Sequence, residues 1–262
     1  MLDHLPPVPD EVIDRVREWI DDAERVTVLT GAGISTDSGI PDYRGPKGVW
    51  TRNPKAEKMS NIRHYLADPE VRQLAWRNRV DSPVWAAEPN PGHDALVQLE
   101  QRGKLSALLT QNVDGLHQAA GTDPELVVEV HGSMHGVVCW DCGWSGPMRD
   151  TLDRVRSGEE DPPCLVCGGI LKSTTISFGQ NLVAADLERA EQAAVDADLL
   201  LTVGSTLAVA PINAVVPIAQ RNGARVVIVN GSPTDMDGLA DEVLLASISD
   251  LLPRLVRPRR NT

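Results

Sequence analysis

The stretch Val26-Thr27-Val28-Leu29-Thr30-Gly31-Ala32-Gly33-Ile34-Ser35 decides the fold. Its first half is an uncharged run of β-branched and apolar residues, the length of a strand and the pattern of one covered on both faces. Its second half breaks at once into glycine. Gly31 and Gly33 allow a tight turn and let a pyrophosphate approach the backbone closely at the start of the next helix. Thr36 stands where the third glycine of a full G-x-G-x-x-G would be, so the turn taken alone is a weak dinucleotide signal.

Further runs of the same kind follow at Leu105–Thr110, Leu126–Val130, Leu199–Val203, Arg225–Asn230 and Glu242–Ala246. Helical stretches separate several of them, at His93–Arg102, Leu182–Asp196 and Ile212–Arg221, and an amphipathic helix over Asp10–Asp22 precedes the first. This alternation predicts an α/β fold with a Rossmann-like, doubly wound parallel sheet. Two stretches break the rhythm. Pro46–Pro91 is rich in Trp and Arg, and Ser133–Gly179 holds all four cysteines with many turn residues. Both are assigned to a smaller zinc-binding and helical domain inserted in two segments. The boundaries predicted are 1–45, 91–132 and 180–262 for the sheet domain, and 46–90 and 133–179 for the small one.

In an open α/β sheet ligands bind beyond the carboxyl ends of the strands. Five segments there carry polar residues or glycine and are expected to converge: Gly31 to Ser35, Gln111-Asn112-Val113-Asp114, His131-Gly132, Gly204-Ser205-Thr206 and Asn230-Gly231-Ser232. Asp42, Tyr43 and Arg44 follow in a loop beside the glycines, where Arg44 can pair with phosphate and Tyr43 can cover a ribose or nicotinamide. His131 ends an apolar strand on the same crevice, and an imidazole suits proton abstraction from a ribose hydroxyl near neutral pH.

Cys139-x2-Cys142 and Cys164-x2-Cys167 form two knuckles whose four thiolates complete a tetrahedron around one zinc ion. Four thiolates leave no position open for water, so the zinc is expected to be structural. The N-terminus MLDHLPPVPD has no signal-peptide pattern, and no apolar run reaches the roughly 18 residues of a membrane span, so a cytoplasmic location is expected. A net charge of −12 opposes a nucleic-acid or anionic-membrane partner. The basic run Arg254–Arg260 reads as a solvated tail.

Taken together, GAGISTDSGIPDYRG (Gly31–Gly45), TQNVDGLH (Thr110–His117), HGS (His131–Ser133), the paired CxxC and SFGQ (Ser177–Gln180) resemble the sirtuins, NAD-dependent protein-lysine deacylases. The resemblance runs from about Val26 to Leu252. Within it, RGPKGVWT (Arg44–Thr51) is similar to the class that includes the nuclear, chromatin-acting members. It implies that NAD is the co-substrate and that Gly31, Ala32, Gly33 and Ser35 hold its pyrophosphate and ribose, with Tyr43 and Arg44 over the reacting half. Gln111 and Asn112 would position the nicotinamide ribose, and Ile34 and Asp114 the nicotinamide. Gly204, Ser205, Asn230 and Gly231 would take the adenosine half, with Thr206, Ser232, Val113 and Asp42 beside them. His131 would be the general base. Ile176, Phe178 and Gly179 would line the acyl-lysine tunnel and pair with the substrate peptide as an added strand.

The implied reaction begins when the amide oxygen of acyl-lysine attacks the anomeric carbon as nicotinamide leaves. His131 then assists a ribose hydroxyl, and the products are free lysine, nicotinamide and O-acyl-ADP-ribose. Acid-acyl-removing relatives carry a Tyr-x-x-Arg pair. The nearest match here, Trp76 to Arg79, lacks the Tyr hydroxyl, which implies a preference for neutral acyl groups. Departures from the usual pattern are Tyr43 for Phe, Ser173 for Pro, Thr175-Ile176 for two valines, Gln180 for Glu, the order Gly204-Ser205-Thr206, and Ala246-Ser247. A mono-ADP-ribosyltransferase using the same site is the nearest alternative. A dehydrogenase leaves Gln111 to Asp114 and the cysteines unexplained, and a zinc-ribbon nucleic-acid module is opposed by the charge.

Overall fold

The computed structural model describes residues 7–43, 45, 48–52 and 59–259. Nine strands run in chain order: β1 (Val26–Thr30), β2 (Leu105–Thr110), β3 (Val127–Glu129), β4 (Gly136–Cys139), β5 (Ser145–Pro147), β6 (Leu171–Ser173), β7 (Leu199–Val203), β8 (Arg225–Asn230) and β9 (Glu242–Leu245). The helices among the described residues are α1 (Asp10–Asp22), α2 (Val49–Arg52), α3 (Ile62–Ala67), α4 (Pro69–Val80), α5 (Pro91–Gln101), α6 (Leu116–Ala120), α7 (Met148–Arg156), α8 (Ala184–Asp196), α9 (Val215–Arg221) and α10 (Ile248–Val256). None of them is long and apolar enough to cross a membrane.

Six strands form a parallel sheet in the order β3-β2-β1-β7-β8-β9. The order reverses between β1 and β7, where Thr30 lies opposite Val203. The absence of alternation in the strand sequences has a direct cause. Val26 and Val28 point into one apolar cluster with α1, α5 and α10, whereas Leu29 points into a second with α8 and α9. Both faces are covered, so every position of β1 is buried. Each fully buried Val or Leu there contributes about 1.5–3 kcal/mol of transfer free energy.

The smaller antiparallel sheet has the order β5-β4-β6. Its core joins residues from both interrupting stretches: Trp76 of α4 packs with Val137, Cys139, Met148, Leu152, Cys164 and Leu171. Tyr65 ties the two together again, its hydroxyl donating to Leu171 O at 2.7 Å.

The helix that follows the glycine turn is a seven-residue 3-10 helix, Ala32–Ser38. Two expectations are corrected. Met148–Arg156, within the cysteine-bearing stretch read as rich in turn residues, is a helix burying Met148, Thr151 and Leu152. The basic run is not a free tail. Arg254 lies inside α10, which buries Leu251, Leu252, Leu255 and Val256, and it pairs with Asp10 at 2.6 Å, while Arg259 pairs with Glu18 at 2.8 Å. Acidic α1 supplies the partners that the run lacks in its own vicinity.

Candidate active site and cysteine cluster

A cleft of about 1810 Å³ opens over the carboxyl ends of the parallel strands. It is lined by Gly31, Ala32 and Gly33 beyond β1, Gln111, Asn112 and Val113 beyond β2, and His131 beyond β3. Gly204, Ser205 and Thr206 beyond β7, Asn230 at the end of β8, and Gly231 and Ser232 beyond it complete that floor. Asp42, Tyr43, Ile176, Phe178 and Gly179 form the opposite wall. Ile34, Ser35 and Asp114 lie behind the floor, 1%, 0% and 6% exposed. Arg44 lies outside the described residues.

The glycines are needed for packing between loops. A Cβ at Gly33 would stand 2.7 Å from Gly204 Cα, and one at Gly31 would stand 2.8 Å from Gly204 O. Gly204 itself has φ +67°, and its own Cβ would meet Ile34 N at 2.5 Å. The two strand-end loops therefore touch backbone to backbone at the point where the strand order reverses, with Gly33 N donating to Gly204 O at 2.8 Å.

Polar contacts knit the floor. Asn112 Nδ2 donates to Gly31 O (3.2 Å) and to Ser35 Oγ (3.1 Å). Ser35 Oγ donates to Asp114 Oδ2 at 2.8 Å, while Asp114 Oδ1 accepts Leu116 N at 3.0 Å and so starts α6. Gln111 Nε2 donates to Ser205 Oγ at 3.0 Å, joining β2 to β7 across β1.

His131 Nδ1 lies 3.1 Å from Gln111 O. A carbonyl only accepts, so Nδ1 carries the proton of the neutral ring and Nε2 keeps a free lone pair. Burial pushes the His131 pKa down, opposed by the bond to Gln111 O. The imidazole is thus neutral and basic around neutral pH.

Several of the departures fall into one group. Ser173 Oγ accepts from Arg79 Nη2 at 3.0 Å and lies 2.6 Å from Thr175 Oγ1. Of the two residues that replace apolar ones, Ser173 is the partner of the Arg79 guanidinium and Thr175 bonds to that same Ser173 hydroxyl. Lys172 Nζ donates to Ser173 O and Thr175 O at 2.7 and 2.8 Å, and burial lowers its pKa to about 8. Ile176 N then donates to His131 O at 2.8 Å, so this segment is fastened to the loop that carries His131. Gln180 Oε1 accepts Ser177 N at 2.9 Å. Tyr43 is 41% exposed as a residue, while burial of its phenol, with Asp114 as a second cause, pushes the hydroxyl pKa up.

Arg79, named from the sequence only in the acyl-preference match, lines the cleft, whereas Asn90, His93, His117 and Lys172 are buried polar residues that the sequence reading did not single out. Their only signal is a polar residue inside an otherwise apolar periodicity.

The four cysteines are unbridged, and their Sγ atoms all lie within 4.8 Å of one another. Cys139 to Cys167 is 3.5 Å and Cys142 to Cys164 is 3.8 Å. Tetrahedral zinc with bonds of about 2.3 Å has sulfur edges of about 3.8 Å, so the cluster fits zinc. Asp141, inside the first knuckle, accepts Ile170 N beyond the second at 2.8 Å and holds the two together.

Fold and site define a Rossmann-like nucleotide-binding protein with a tetrathiolate cluster of the structural zinc type. A profile of the Sir2 family matches residues 31–211. NAD-dependent protein deacetylase 2 of Streptomyces coelicolor is 48% identical over 232 residues, covering 88% of this chain and 96% of that protein. An NAD-dependent protein deacetylase of Haloarcula marismortui is 38% identical over 255 residues, with 96% of each covered. A solved Sir2–p53 peptide–NAD+ complex superposes with a TM-score of 0.84 at 30% identity, over 93% of this chain and 96% of that one. The chain belongs to the Sir2 family.

Proposed function

We propose that this protein removes acyl groups, acetyl foremost, from protein lysine side chains with NAD as co-substrate, giving nicotinamide and O-acyl-ADP-ribose. The observation that carries the reading is the tautomer of His131, whose free Nε2 sits on a cleft floored by the Gly31–Gly33 and Gly204 loops. NAD supplies a ribose whose bond to nicotinamide breaks as the acyl oxygen attacks. His131 receives a ribose hydroxyl proton at Nε2. Asn112, held by Gly31 O and Ser35 Oγ, orients that ribose. Gly31, Ala32, Gly33 and Ser35 take the pyrophosphate and ribose side, and Gly204, Ser205, Asn230 and Gly231 the adenosine side.

The substrate peptide pairs with the segment Ile176–Gly179. The N–H and C=O of Phe178 are already engaged by Ser60 O (2.8 Å) and Ile62 N (3.0 Å). On the opposite edge Ser177 N–H and C=O are held by Gln180 Oε1 (2.9 Å) and Gln180 N (3.0 Å), so an added strand pairs at Gly179 or displaces Gln180. Neutral acyl groups are preferred. Trp76 is fully buried in the small core and offers no hydroxyl to a distal carboxylate; Arg79 Nη2 is held by Ser173, while its Nη1 is a buried donor with no hydrogen-bond partner among the described residues.

The boundaries 46–90 and 133–179 for the small domain follow the shared core of Trp76 with Cys139 and Leu171. The affinity with the chromatin-acting class rests on Arg44–Thr51, of which Arg44, Pro46 and Lys47 fall outside the described residues. The lack of a nucleic-acid partner rests on the charge of −12.

The test is mass spectrometry of acetyl- and succinyl-lysine peptides incubated with NAD. The acetyl peptide should lose its acyl mass, faster than the succinyl one. Added ADP-ribose mass on protein would establish transferase chemistry instead. With His131→Ala, deacylation should fall at least about 10²-fold, while exchange of labelled nicotinamide into NAD persists. Loss of both in equal proportion would make His131 a positioning group.

A further inference from the structure

Asn90 precedes α5 and is 6% exposed. Every hydrogen-bonding position of its side chain is filled. Oδ1 accepts Gly92 N at 2.9 Å and Ser249 Oγ at 3.3 Å. Nδ2 donates to Ile34 O at 2.8 Å and to Ser38 Oγ at 2.9 Å. Capping a helix needs only the acceptor half, which Ser or Asp supplies as well. The amino half is what Asn adds, and both its hydrogens go to the 3-10 helix Ala32–Ser38 that follows the glycine turn.

The carbonyl so held belongs to the peptide unit joining Ile34 to Ser35. From Ser35 the contacts run without a gap to Asn112 at 3.1 Å and Asp114 at 2.8 Å. Ser35 is fully buried, so its hydroxyl has no alternative partner in water to fall back on. Without Asn90, Ile34 O loses its buried side-chain donor and the 3-10 helix is free to rotate toward another donor. A rotation of this turn changes where Ser35 Oγ points, and with it the amides and carboxylate beneath the cleft.

We infer that Asn90 is a positioning residue for the reaction, acting through the Ile34–Ser35 peptide on Asn112 and Asp114. The inference rests on the reading that those two hold the nicotinamide half of NAD. Asn90 touches neither substrate. Its effect falls on NAD and nicotinamide and spares the peptide, which contacts the other wall.

The experiment uses Asn90→Ser in the full chain, with Asn90→Asp as a second variant that also keeps the cap. Ser249→Ala removes a contact on the capping side alone. The readouts are KM for NAD, KM for acetyl-lysine peptide and inhibition by nicotinamide. Both Asn90 variants should raise KM for NAD and weaken nicotinamide inhibition by about tenfold, the range of one lost hydrogen bond. KM for the peptide should stay unchanged, and Ser249→Ala should match the wild type. A loss of folded protein alone lowers kcat and moves none of these constants. Asp114→Asn serves as the reference. If it weakens nicotinamide inhibition and the Asn90 variants do not, the role of Asn90 is overturned. If Asp114→Asn leaves nicotinamide inhibition intact, it is the underlying assignment of the nicotinamide site that fails.

Discussion

His131 owes its chemistry to one carbonyl. Gln111 O fixes the proton on Nδ1, and partial burial keeps the ring neutral below the usual titration range of imidazole. The sign is set by the depressed pKa: the free base survives as pH falls through about 6.5 and disappears only below it. The acid limb of kcat/KM should therefore lie below pH 6.5, and a limb above that value would assign the titration to another group. Gly204 makes an equally sharp case. With φ +67° and a Cβ position 2.5 Å from Ile34 N, Gly204→Ala is strained in its backbone and collides with the glycine turn. A loss of at least about 2 kcal/mol of stability is expected, measured by denaturant unfolding, and a fully stable, active variant would refute the loop-to-loop reading. His131 and the glycines were legible in the sequence because strand ends are marked by abrupt changes of composition. Asn90 was not, because its partner Ile34 is 56 positions away, and Arg79 was read without its partner Ser173, 94 positions away.

Strands and long helices were legible for a similar reason. A doubly covered strand needs an unbroken apolar run, and β1, β2, β7 and β8 have the bounds read from sequence. The 3-10 helix after β1 was not legible, since its geometry is imposed by contacts with Gly204 and Asn90. Nor was α10, where Pro253 and a cluster of arginines mask an apolar face. The knuckles are the reverse case, with spacing alone sufficient. Cys139 and Cys164 are also members of the small apolar core, beside Trp76 and Leu171. Metal loss therefore removes a core support along with a charge-neutralising ion. Cys164→Ala, or chelation of the wild type, should unfold this core and shift tryptophan fluorescence through Trp76, Trp85 and Trp144, which pack in it or against it. Deacylation should fall in parallel, because β6 leads directly into the segment bonded to His131 O. Unchanged thermal stability and fluorescence after metal removal would exclude a structural zinc.

The parallel sheet brings six strand ends to one edge, and the same arrangement buries titratable groups beneath it. His117 Nε2 lies 2.9 Å from Thr30 Oγ1, which donates to Thr110 Oγ1 at 2.8 Å, and Asn112 N donates to that same oxygen at 3.1 Å. His93, its ring centroid 5.0 Å from that of His117, accepts Asn90 N at Nδ1. Thus two neutral histidines sit between the capped start of α5 and the floor of the cleft. Burial, with His93 as a second cause, lowers the His117 pKa to about 3; burial also lowers that of His93. Below pH 6.5 the unfolded chain binds a proton at His117 that the folded chain refuses, so stability falls with pH through the window from about 6.5 to about 3. At 1.36 kcal/mol per pH unit, His117 alone removes about 2 kcal/mol between pH 7 and pH 5. Glu129, whose carboxyl pKa burial raises, works in the opposite direction, so total stability is a poor readout and a variant comparison is needed. His117→Gln keeps a donor for Thr30 and cannot titrate. Its stability deficit relative to wild type, measured by urea unfolding, should shrink by about 2 kcal/mol on going from pH 7 to pH 5. A deficit that is constant over that range would mean that His117 is protonated in the folded protein, and the neutral relay under Asn112 would have to be abandoned.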